Sequence, residues 1–219
     1  MAFGGRGFAG RLSIVVSEMT DSVQKKSRSR ADGRPGKRER LVAATARVVY
    51  RQGVERTTLA DIAAEADVPV GNVYYYFRTK DQLVEAAVGD HERRLRELIA
   101  ALAELPTPRE RLRALVEGWV GERDLAVRYG CPFGTLVSEL DKREDEPARL
   151  AADVMRLLLD WAGEQFRAMG RGDDARESAM ALVGAYQGMS LLTNTLRDPE
   201  IMVVQGARLL EWIDGLAEG

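Results

Sequence analysis

The spacing of apolar residues along the chain predicts a helical protein. Apolar positions recur at the intervals of buried helix faces, and the strict alternation typical of half-buried strands is missing. Helix starts are marked as well, because Thr107, Pro108 and Glu110 supply a capping residue, a first-turn proline and a capping-box acid. We therefore predict an all-α fold of about nine helices, one of which runs from Pro108 to Tyr129.

Residues 57–83 have the pattern of a helix, a tight turn and a second helix. The first helix carries apolar residues at i, i+3, i+4 and i+7, namely Leu59, Ile62, Ala63 and Ala66. Thr58 with Asp61 predicts a capping box at its start. Asp67 stands where the backbone must turn, and Asp tolerates left-handed dihedrals better than most residues. This order predicts a helix-turn-helix, which places its second helix in the DNA major groove.

The second helix, about residues 70–77, carries side chains suited to a DNA groove. Gly71 lets the backbone approach DNA closely, and Asn72 can donate to and accept from base edges. Three adjacent tyrosines cannot all face one core, because a helix turns about 100° per residue. Lys80 falls in the first turn of the next helix, where free amides favour phosphate. The predicted DNA-binding residues are Arg38, Thr58, Val70, Gly71, Asn72, Tyr74, Tyr75, Tyr76 and Lys80.

These residues resemble the N-terminal signature of the TetR family of bacterial one-component transcriptional regulators. That signature runs through an I-A-x-x-A core, a G-x-x-Y-x-x-F recognition helix and a K-x-x-L entry into the fourth helix. The matching residues here are Ile62, Ala63, Ala66, Gly71, Tyr74, Phe77, Lys80 and Leu83. The resemblance covers about residues 38–88, and the chain departs from it with Asp67 where Gly is usual and Pro69 where Ser is frequent. It implies a three-helix DNA-binding head followed by a helical ligand-binding and dimerisation domain.

Three regions are predicted along the chain: a disordered basic extension at residues 1–36, a helix-turn-helix DNA-binding domain at 37–84, and a C-terminal ligand-binding and dimerisation domain at 85–219. The net charge of −2 hides an asymmetry, because residues 1–40 hold ten Lys or Arg against four acids and the remainder holds twenty-two against thirty. Such a polarity orients the basic end toward phosphate. The extension is either a solvated tail or an arm that follows the phosphates or the minor groove.

The last two predicted helices indicate a homodimer. Small residues recur along one side of the first of them, where they permit a close approach of two backbones, and the second has a broad apolar stripe. The alternative is that both stripes pack inside one subunit, because the two kinds of helix packing look alike in sequence. The predicted dimer-interface residues are Ala181, Gly184, Ala185, Gly188, Leu209 and Ile213.

Aromatic residues and methionines concentrate in the middle of the chain. The family resemblance implies that the middle helices enclose a pocket for a small-molecule inducer, whose identity the sequence does not give. The predicted ligand-binding residues are Trp119, Cys131, Phe133, Met155, Trp161, Tyr186 and Met189. The alternative is that most of them form an ordinary helical core. Glu117 and Glu139 fall near apolar positions and are candidates to pair with a cationic ligand, although a solvated face also explains them.

Cys131 is the one unusual chemical group in the sequence. Because Pro132 suits a first helical position, Cys131 is predicted at a helix N-cap, where the helix dipole favours a thiolate. The Gly130–Cys131 region resembles a branch of the TetR family whose repressors respond to electrophiles and oxidants through a cysteine. The competing interpretation is a small buried residue, which is common for cysteine outside disulfides.

Other functional classes find little support in the sequence. Cys131 and His91 are the sole conceivable catalytic pair, and neither metal-ligand spacing nor a phosphate loop occurs, so we predict no enzyme, no metal and no cofactor. The absence of a long apolar run and of a paired thiol predicts a cytoplasmic protein with no membrane partner. The sequence therefore predicts a homodimeric repressor that a small-molecule inducer releases from a palindromic double-stranded DNA operator. Alternatives are a thiol-sensing repressor acting through Cys131 and an architectural DNA binder without a ligand.

Overall fold

The structure is a computed structural model that describes residues 35–216, and every regular element in that range is a helix. The helices are α1 Lys37–Gln52, α2 Leu59–Ala66, α3 Val70–Tyr76, α4 Lys80–Ala103, α5 Pro108–Gly121, α6 Arg123–Tyr129, α7 Pro132–Leu140, α8 Glu146–Ala168, α9 Ala175–Leu196 and α10 Glu200–Gly215. The predicted all-α class is confirmed. The predicted basic extension up to residue 34 lies outside the described residues.

One predicted helix is divided in two. The backbone leaves the helical path at Glu122, with φ −93° and ψ 12°, so α5 ends at Gly121 and α6 begins at Arg123. The Glu122 N–H donates to the Trp119 carbonyl in a tightened last turn of α5. The prediction of a continuous helix from Pro108 to Tyr129 is therefore wrong. The helical spacing of apolar residues continues through Glu122, but Gly121 lowers the energetic cost of leaving the helical backbone conformation there.

The described residues form two compact units. The head unit consists of residues 35–94 and 132–154, and the body unit consists of residues 95–131 and 155–216. Helices α4 and α8 each contribute to both units. These units are defined by packing, so the functional division of the chain at residue 84 stays a prediction.

The head unit has an apolar core built by α1, α2, α3 and the start of α4. Helices α2 and α3, with 8 and 7 residues, are too short to be stable alone, so burial of one face holds them, and a buried Leu or Ile contributes about 1.5–3 kcal/mol. The buried side chains of this core are Leu41, Val42, Ala44, Ile62, Ala63, Ala66, Val68, Val73, Phe77 and Leu83. The predicted inner face of α2 is therefore correct, with Leu59 packed at its edge.

The turn between α2 and α3 is built on Asp67. Its backbone is left-handed, with φ 53° and ψ 52°, as the sequence predicts. Arg40 of α1 stabilises this turn, because its Nη1 donates to the carbonyls of Ala66 at 2.9 Å and Asp67 at 3.0 Å. These carbonyls belong to the end of α2 and have no partner within that helix.

In the body unit, α9 packs against α6 and α10, and α10 packs against α5. Gly206 on α10 permits the last of these contacts, because a Cβ there would collide with Val120. Arg109 at the start of α5 donates to the carbonyls of Asp214 at 2.8 Å and Leu216 at 2.7 Å, and so satisfies the end of α10. Within residues 35–216, no helix is both long and apolar enough to cross a membrane.

Candidate nucleic-acid interface

The start of α2 is held by the predicted capping box. Thr58 Oγ1 accepts a hydrogen bond from the Asp61 N–H at 3.2 Å, and Asp61 Oδ2 accepts one from the Thr58 N–H at 2.9 Å. The hydrogen bonds from the Thr58 hydroxyl and amide to its carboxylate lower the pKa of Asp61. Thr58 itself is exposed, so its side chain is available at the surface where α2 begins.

Helix α3 exposes two of its three tyrosines. Tyr75 is 84% exposed and Tyr74 57% exposed, whereas Tyr76 is half-buried and packs against the head core. The Tyr75 ring rests edge-on against Tyr76, with 5.0 Å between the centroids. The three adjacent tyrosines therefore do not share one buried face, as the sequence predicts. Two large aromatic rings exposed at adjacent positions indicate a surface that binds a partner.

The remaining predicted groove residues lie around these tyrosines. Val73 is fully buried and anchors α3 in the head core, while Val70 and Gly71 are exposed. A Cβ on Gly71 would meet no neighbouring atom within 4 Å, so the backbone there is open to approach. Asn72 is half-buried and keeps part of its surface free for a base edge.

Arg38 supplies positive charge beside the end of α3. Its guanidinium carbon lies 5.2 Å from the centroid of the Phe77 ring, and the residue is exposed. A cation over a ring face is held in place while its outer N–H groups stay accessible. Arg38 thus keeps accessible donors beside Phe77, and its predicted contact with DNA stays a prediction.

Lys80 is engaged inside the head unit. Its Nζ donates to the carbonyls of Val54 at 2.9 Å and Glu55 at 3.4 Å, in the loop between α1 and α2. The start of α4 is capped nearby, since the Gln82 N–H donates to Thr79 Oγ1 at 3.2 Å. The structure thus directs the ammonium of Lys80 to carbonyl oxygens, and its predicted phosphate contact stays a prediction.

Several polar residues that hold the head together carry no local sequence signal. Arg47 and Arg51 lie one turn apart on α1 and donate to the Glu65 carboxylate at 2.7 and 2.5 Å. Burial of Glu65 favours its neutral form, but the hydrogen bonds from Arg51 and Arg47 outweigh this and lower its pKa. The i, i+4 spacing of the two arginines was a visible signal, and their partner on another helix was not.

A three-helix head with an exposed aromatic recognition helix defines a helix-turn-helix DNA-binding protein. The family model for bacterial regulatory proteins of the tetR family matches residues 41–87. The transcriptional regulator BetI of Cronobacter sakazakii is 38% identical over 164 residues, which cover 72% of this chain and 79% of that protein. BetI of Stenotrophomonas maltophilia is 37% identical over 162 residues, covering 72% and 81% of the two chains.

A solved TetR-family regulator from Streptomyces coelicolor superposes with a TM-score of 0.70 at 26% identity, over 82% of this chain and 93% of that one. The chain belongs to the TetR family of helix-turn-helix transcriptional regulators. Its relatives are DNA-binding regulators and not enzymes.

The predicted ligand-binding residues are mostly buried or half-buried. In the body unit, the Trp119 and Tyr186 rings are stacked, with 4.1 Å between centroids and 13° between planes. Trp161 and Met189 are buried there, and Met155 is half-buried. Phe133 belongs to the head unit, where its ring lies 5.3 Å from that of His91. A role for these residues in binding a ligand stays a prediction.

Cys131 is buried in the body unit. Gln187 Nε2 lies 3.8 Å from the Cys131 Sγ, within reach of a weak hydrogen bond. Helix α7 begins directly after it, as the sequence predicts. Because reactive thiols are accessible to solvent, the burial favours packing over sensing.

The predicted interface residues divide between the surface and the core. Ala181, Gly184 and Gly188 are exposed on one side of α9, and Ala185 and Leu209 are half-buried. Ile213 is fully buried inside the chain, so its assignment to a subunit interface is wrong. Its apolar side chain belongs to the broad stripe of α10 that packs inside the body unit.

Three leucine side chains on α9 that were not predicted at the interface are also exposed. Leu191 is 65% exposed and Leu196 62%, and Leu192 is also exposed on the same helix. One signal was available, because Leu191 and Leu192 lie one to two helical turns beyond the two glycines on the same side. We call the exposed residues Ala181, Gly184, Gly188, Leu191, Leu192 and Leu196 the α9 face.

Proposed function

We propose that the protein is a homodimeric repressor that binds a palindromic operator and is released from it by a small molecule. The observation that carries the proposal is the exposed pair Tyr74 and Tyr75 on a recognition helix whose other side, at Val73, is locked into a filled core. Side chains that lie largely in water contribute little to the stability of the head. They have a use when α3 lies in a groove lined by phosphate and base edges.

The residues proposed to contact the operator surround that pair. Val70, Gly71 and Asn72 lie at the start of α3, and Thr58 and Arg38 flank it. Hydroxyls, an amide and a guanidinium are groups that position a protein on phosphates and read base edges. Tyr76 contributes by holding Tyr75 edge-on, as its own ring is packed against the core.

The α9 face supports the proposed homodimer. Leu191, Leu192 and Leu196 expose aliphatic side chains next to Gly184 and Gly188, where an added Cβ would meet nothing within 4 Å. A patch of this kind is costly in water and is covered when two copies pack it together. Paired heads then match two half-sites about 34–36 Å apart, which one short helix cannot specify alone.

Release by a small molecule rests on the family and on the aromatic residues of the body unit. TetR-family regulators typically respond to ligands, and the stacked Trp119 and Tyr186 offer flat apolar surfaces to one. Binding would stabilise one arrangement of the paired heads at the expense of the other, which changes operator affinity. The proposal assigns Met155, Trp161 and Met189 to the same ligand-responsive region.

Selection from a random DNA library with the purified chain tests the DNA part of the proposal. The expected result is enrichment of an inverted repeat whose half-sites are about one helical turn apart centre to centre, or a multiple of that distance. Sedimentation with the selected DNA should give two chains, or a multiple of two, per site. Enrichment of a single unrepeated motif, or of no motif, would refute the palindromic dimer.

A further inference from the structure

The loop between α1 and α2 is held from two sides at one residue. Val54 donates its N–H to Glu139 Oε2 of α7 at 2.5 Å, and its carbonyl accepts a hydrogen bond from Lys80 Nζ of α4 at 2.9 Å. Val54 is buried, although the loop around it lies at the surface of the head unit. We call Glu139, Lys80 and the backbone of Val54 the Val54 clamp. Its three parts come from three separate segments of the chain.

Gly53 makes room for the clamp. Its φ is +85°, in the region that favours glycine, and a Cβ built there would lie 2.9 Å from Glu139 Oε1. No other residue would allow the carboxylate this close to the backbone without a shift. The carboxylate of Glu139 is therefore fitted to the loop, where a solvated glutamate or a partner for a cationic ligand had been expected.

The clamp lies directly before the DNA-binding helices. The hydroxyl of Thr57 donates to the Gly53 carbonyl at 2.6 Å, and the next residue, Thr58, caps α2. Four residues thus separate the clamped peptide from the start of α2, and their backbone is held by hydrogen bonds. The chain continues from α2 through the turn at Asp67 into α3, so a short stretch of backbone connects Val54 to both helices.

A second contact ties the same two regions of the head unit. Arg143, just after α7, donates to Asp81 Oδ1 in the first turn of α4 at 2.8 Å. Asp81 and Lys80 are adjacent, so α7 and the residues after it reach the start of α4 both directly and through Val54. The hydrogen bonds that Arg143 donates to the carboxylates of Asp81 and Asp145 raise the pKa of Arg143, which is consistent with a guanidinium held between carboxylates.

We propose that Glu139 and Lys80 are positioning residues for operator binding, which act by fixing Val54 and hence the orientation of α2 and α3. This inference rests on the proposed operator binding. It assigns to the Lys80 ammonium a backbone partner in the loop, in place of a DNA phosphate. It also makes α7, which lies far from the helix-turn-helix in sequence, part of the DNA-binding apparatus.

Two substitutions of Glu139 separate positioning from charge. Glu139→Gln keeps an oxygen that accepts from the Val54 N–H, and Glu139→Ala removes it. We expect operator binding to weaken about tenfold in Glu139→Ala and by less than about twofold in Glu139→Gln. Asp141→Ala, which removes another exposed carboxylate near the end of α7, serves as the control and should bind like wild type. Hydrogen exchange of the Val54 amide should speed up in Glu139→Ala alone.

The salt dependence of operator binding tests Lys80. A phosphate contact would lower the slope of log K against log salt by about 0.9 when it is lost. We expect Lys80→Met to weaken binding about tenfold with an unchanged slope. Lys142→Met, which removes an exposed ammonium after α7, is the control for net charge. In the double variant Lys80→Met/Glu139→Ala, the fold-loss of operator affinity should be smaller than the product of the two single fold-losses, because both residues act on one peptide.

The outcomes distinguish the clamp from the proposed function. If the wild type binds no selected DNA, the proposed function fails. If the wild type binds and Glu139→Ala binds equally well, or Glu139→Gln is as weak as Glu139→Ala, the clamp fails and the proposed function stands. If the slope of log K against log salt falls by about 0.9 in Lys80→Met, Lys80 contacts a DNA phosphate and is not part of the clamp. Thermal melting and circular dichroism of each variant confirm that the comparison is made between folded proteins.

Discussion

Helices α3 and α9 both leave several large side chains in water, and they do so with different chemistry. Helix α3 exposes Tyr74 and Tyr75, whose rings carry hydroxyls, and the guanidinium of Arg38 lies over the ring of Phe77 at the end of that helix. Helix α9 exposes Leu191, Leu192 and Leu196 beside open glycines, with no polar group on these side chains. Exposure alone marks both as surfaces that need a partner.

The neighbouring groups decide which partner each surface suits. A phenol beside a cation suits a polyanion with base edges, because each hydroxyl can donate to a phosphate while the ring packs on sugar and base. Aliphatic side chains beside glycine suit another apolar surface at short backbone distance, as in the packing of two like helices. The difference supports the proposal that α3 binds DNA and that the α9 face binds a second copy of the chain.

The largest effect is expected on the α9 face. Leu191→Asp would place a carboxylate in the centre of the proposed interface, and we expect the dimer to dissociate at concentrations at least about a hundredfold higher than for wild type. Operator binding should fall with it. Sedimentation equilibrium measures the change, and Glu177→Gln, a change at an exposed position near the start of the same helix, is the control. A Leu191→Asp protein that stays dimeric at nanomolar concentration would place the interface elsewhere.

The second prediction concerns the response of the head unit to acid. Burial, with Arg94 nearby, lowers the pKa of His91 to about 4 from 6.5, although Asp90 opposes the shift. The unfolded chain therefore binds the proton more readily between these values, and the head unit loses stability as the pH falls from about 6.5 to about 4. We expect the free energy of unfolding to fall by about 2 kcal/mol. This is less than the whole pKa shift of His91 would give, because the side chain keeps some exposure to solvent.

Urea unfolding at pH 7 and pH 4.5 measures this dependence. His91→Gln should remove the part of it that belongs to His91, so the difference in the free energy of unfolding between wild type and variant should change with pH. Since His91 is the single histidine of the chain, its imidazole resonances in NMR report the same titration directly. An imidazole that titrates near 6.5 in the folded protein would contradict the prediction.

The third prediction separates the tyrosine face from the stability of the head. Tyr75→Ala should weaken operator binding about tenfold and leave the melting temperature unchanged within a degree or so, because the side chain is largely in water. Tyr75→Phe measures how much of the operator affinity depends on the Tyr75 hydroxyl. Tyr50→Ala, at a buried tyrosine of the same unit, should lower the melting temperature and leave the operator affinity of the folded protein unchanged. Equal operator binding by wild type and Tyr75→Ala would remove Tyr75 from the DNA-binding surface.

The smallest effects are expected at two left-handed residues, one in each unit. Asp67 in the head and Arg197 in the body both have positive φ, at 53° and 56°. Asp67→Gly should raise the free energy of unfolding by about 0.5 kcal/mol, because it relieves the left-handed backbone, and an exposed ion pair such as that with Arg40 contributes little.

Arg197→Gly should lower the free energy of unfolding. Its guanidinium donates to the carbonyls of Val127 and Arg128 at the end of α6, and these bonds would be lost with the side chain. Urea midpoints of the two variants should therefore move in opposite directions. An increase of both midpoints would show that relief of backbone strain dominates at both positions, and a decrease of both would show that lost side-chain contacts dominate.

Local sequence patterns predicted most of the helix-turn-helix. The capping boxes at Thr58 and Thr107, the buried face of α2 and the left-handed Asp67 all depend on residues within four positions of each other, where spacing and chemistry suffice. The break at Glu122 was missed because one glycine before it is a weak signal inside a continuous apolar pattern. The general lesson is that short-range determinants are visible in one sequence.

Long-range contacts were the ones that could not be predicted. Arg40 stabilises a turn 27 residues away, and Glu139 accepts a hydrogen bond from an amide 85 residues away. No periodicity links such positions, and a surface glutamate looks the same whether it faces water or a backbone amide. The burial of Ile213 was missed for a related reason, since an apolar stripe does not say whether it packs inside the chain or against a second copy.

The burial of Cys131 has a practical use in spectroscopy. It is the single cysteine of the chain, so a new surface cysteine would be the preferred target of a maleimide dye or a nitroxide reagent. Glu85 on α4 is exposed and belongs to the head unit, which makes Glu85→Cys a suitable attachment point. Pulsed electron paramagnetic resonance on that labelled variant would then report the separation of two heads in solution, with the native thiol left in place.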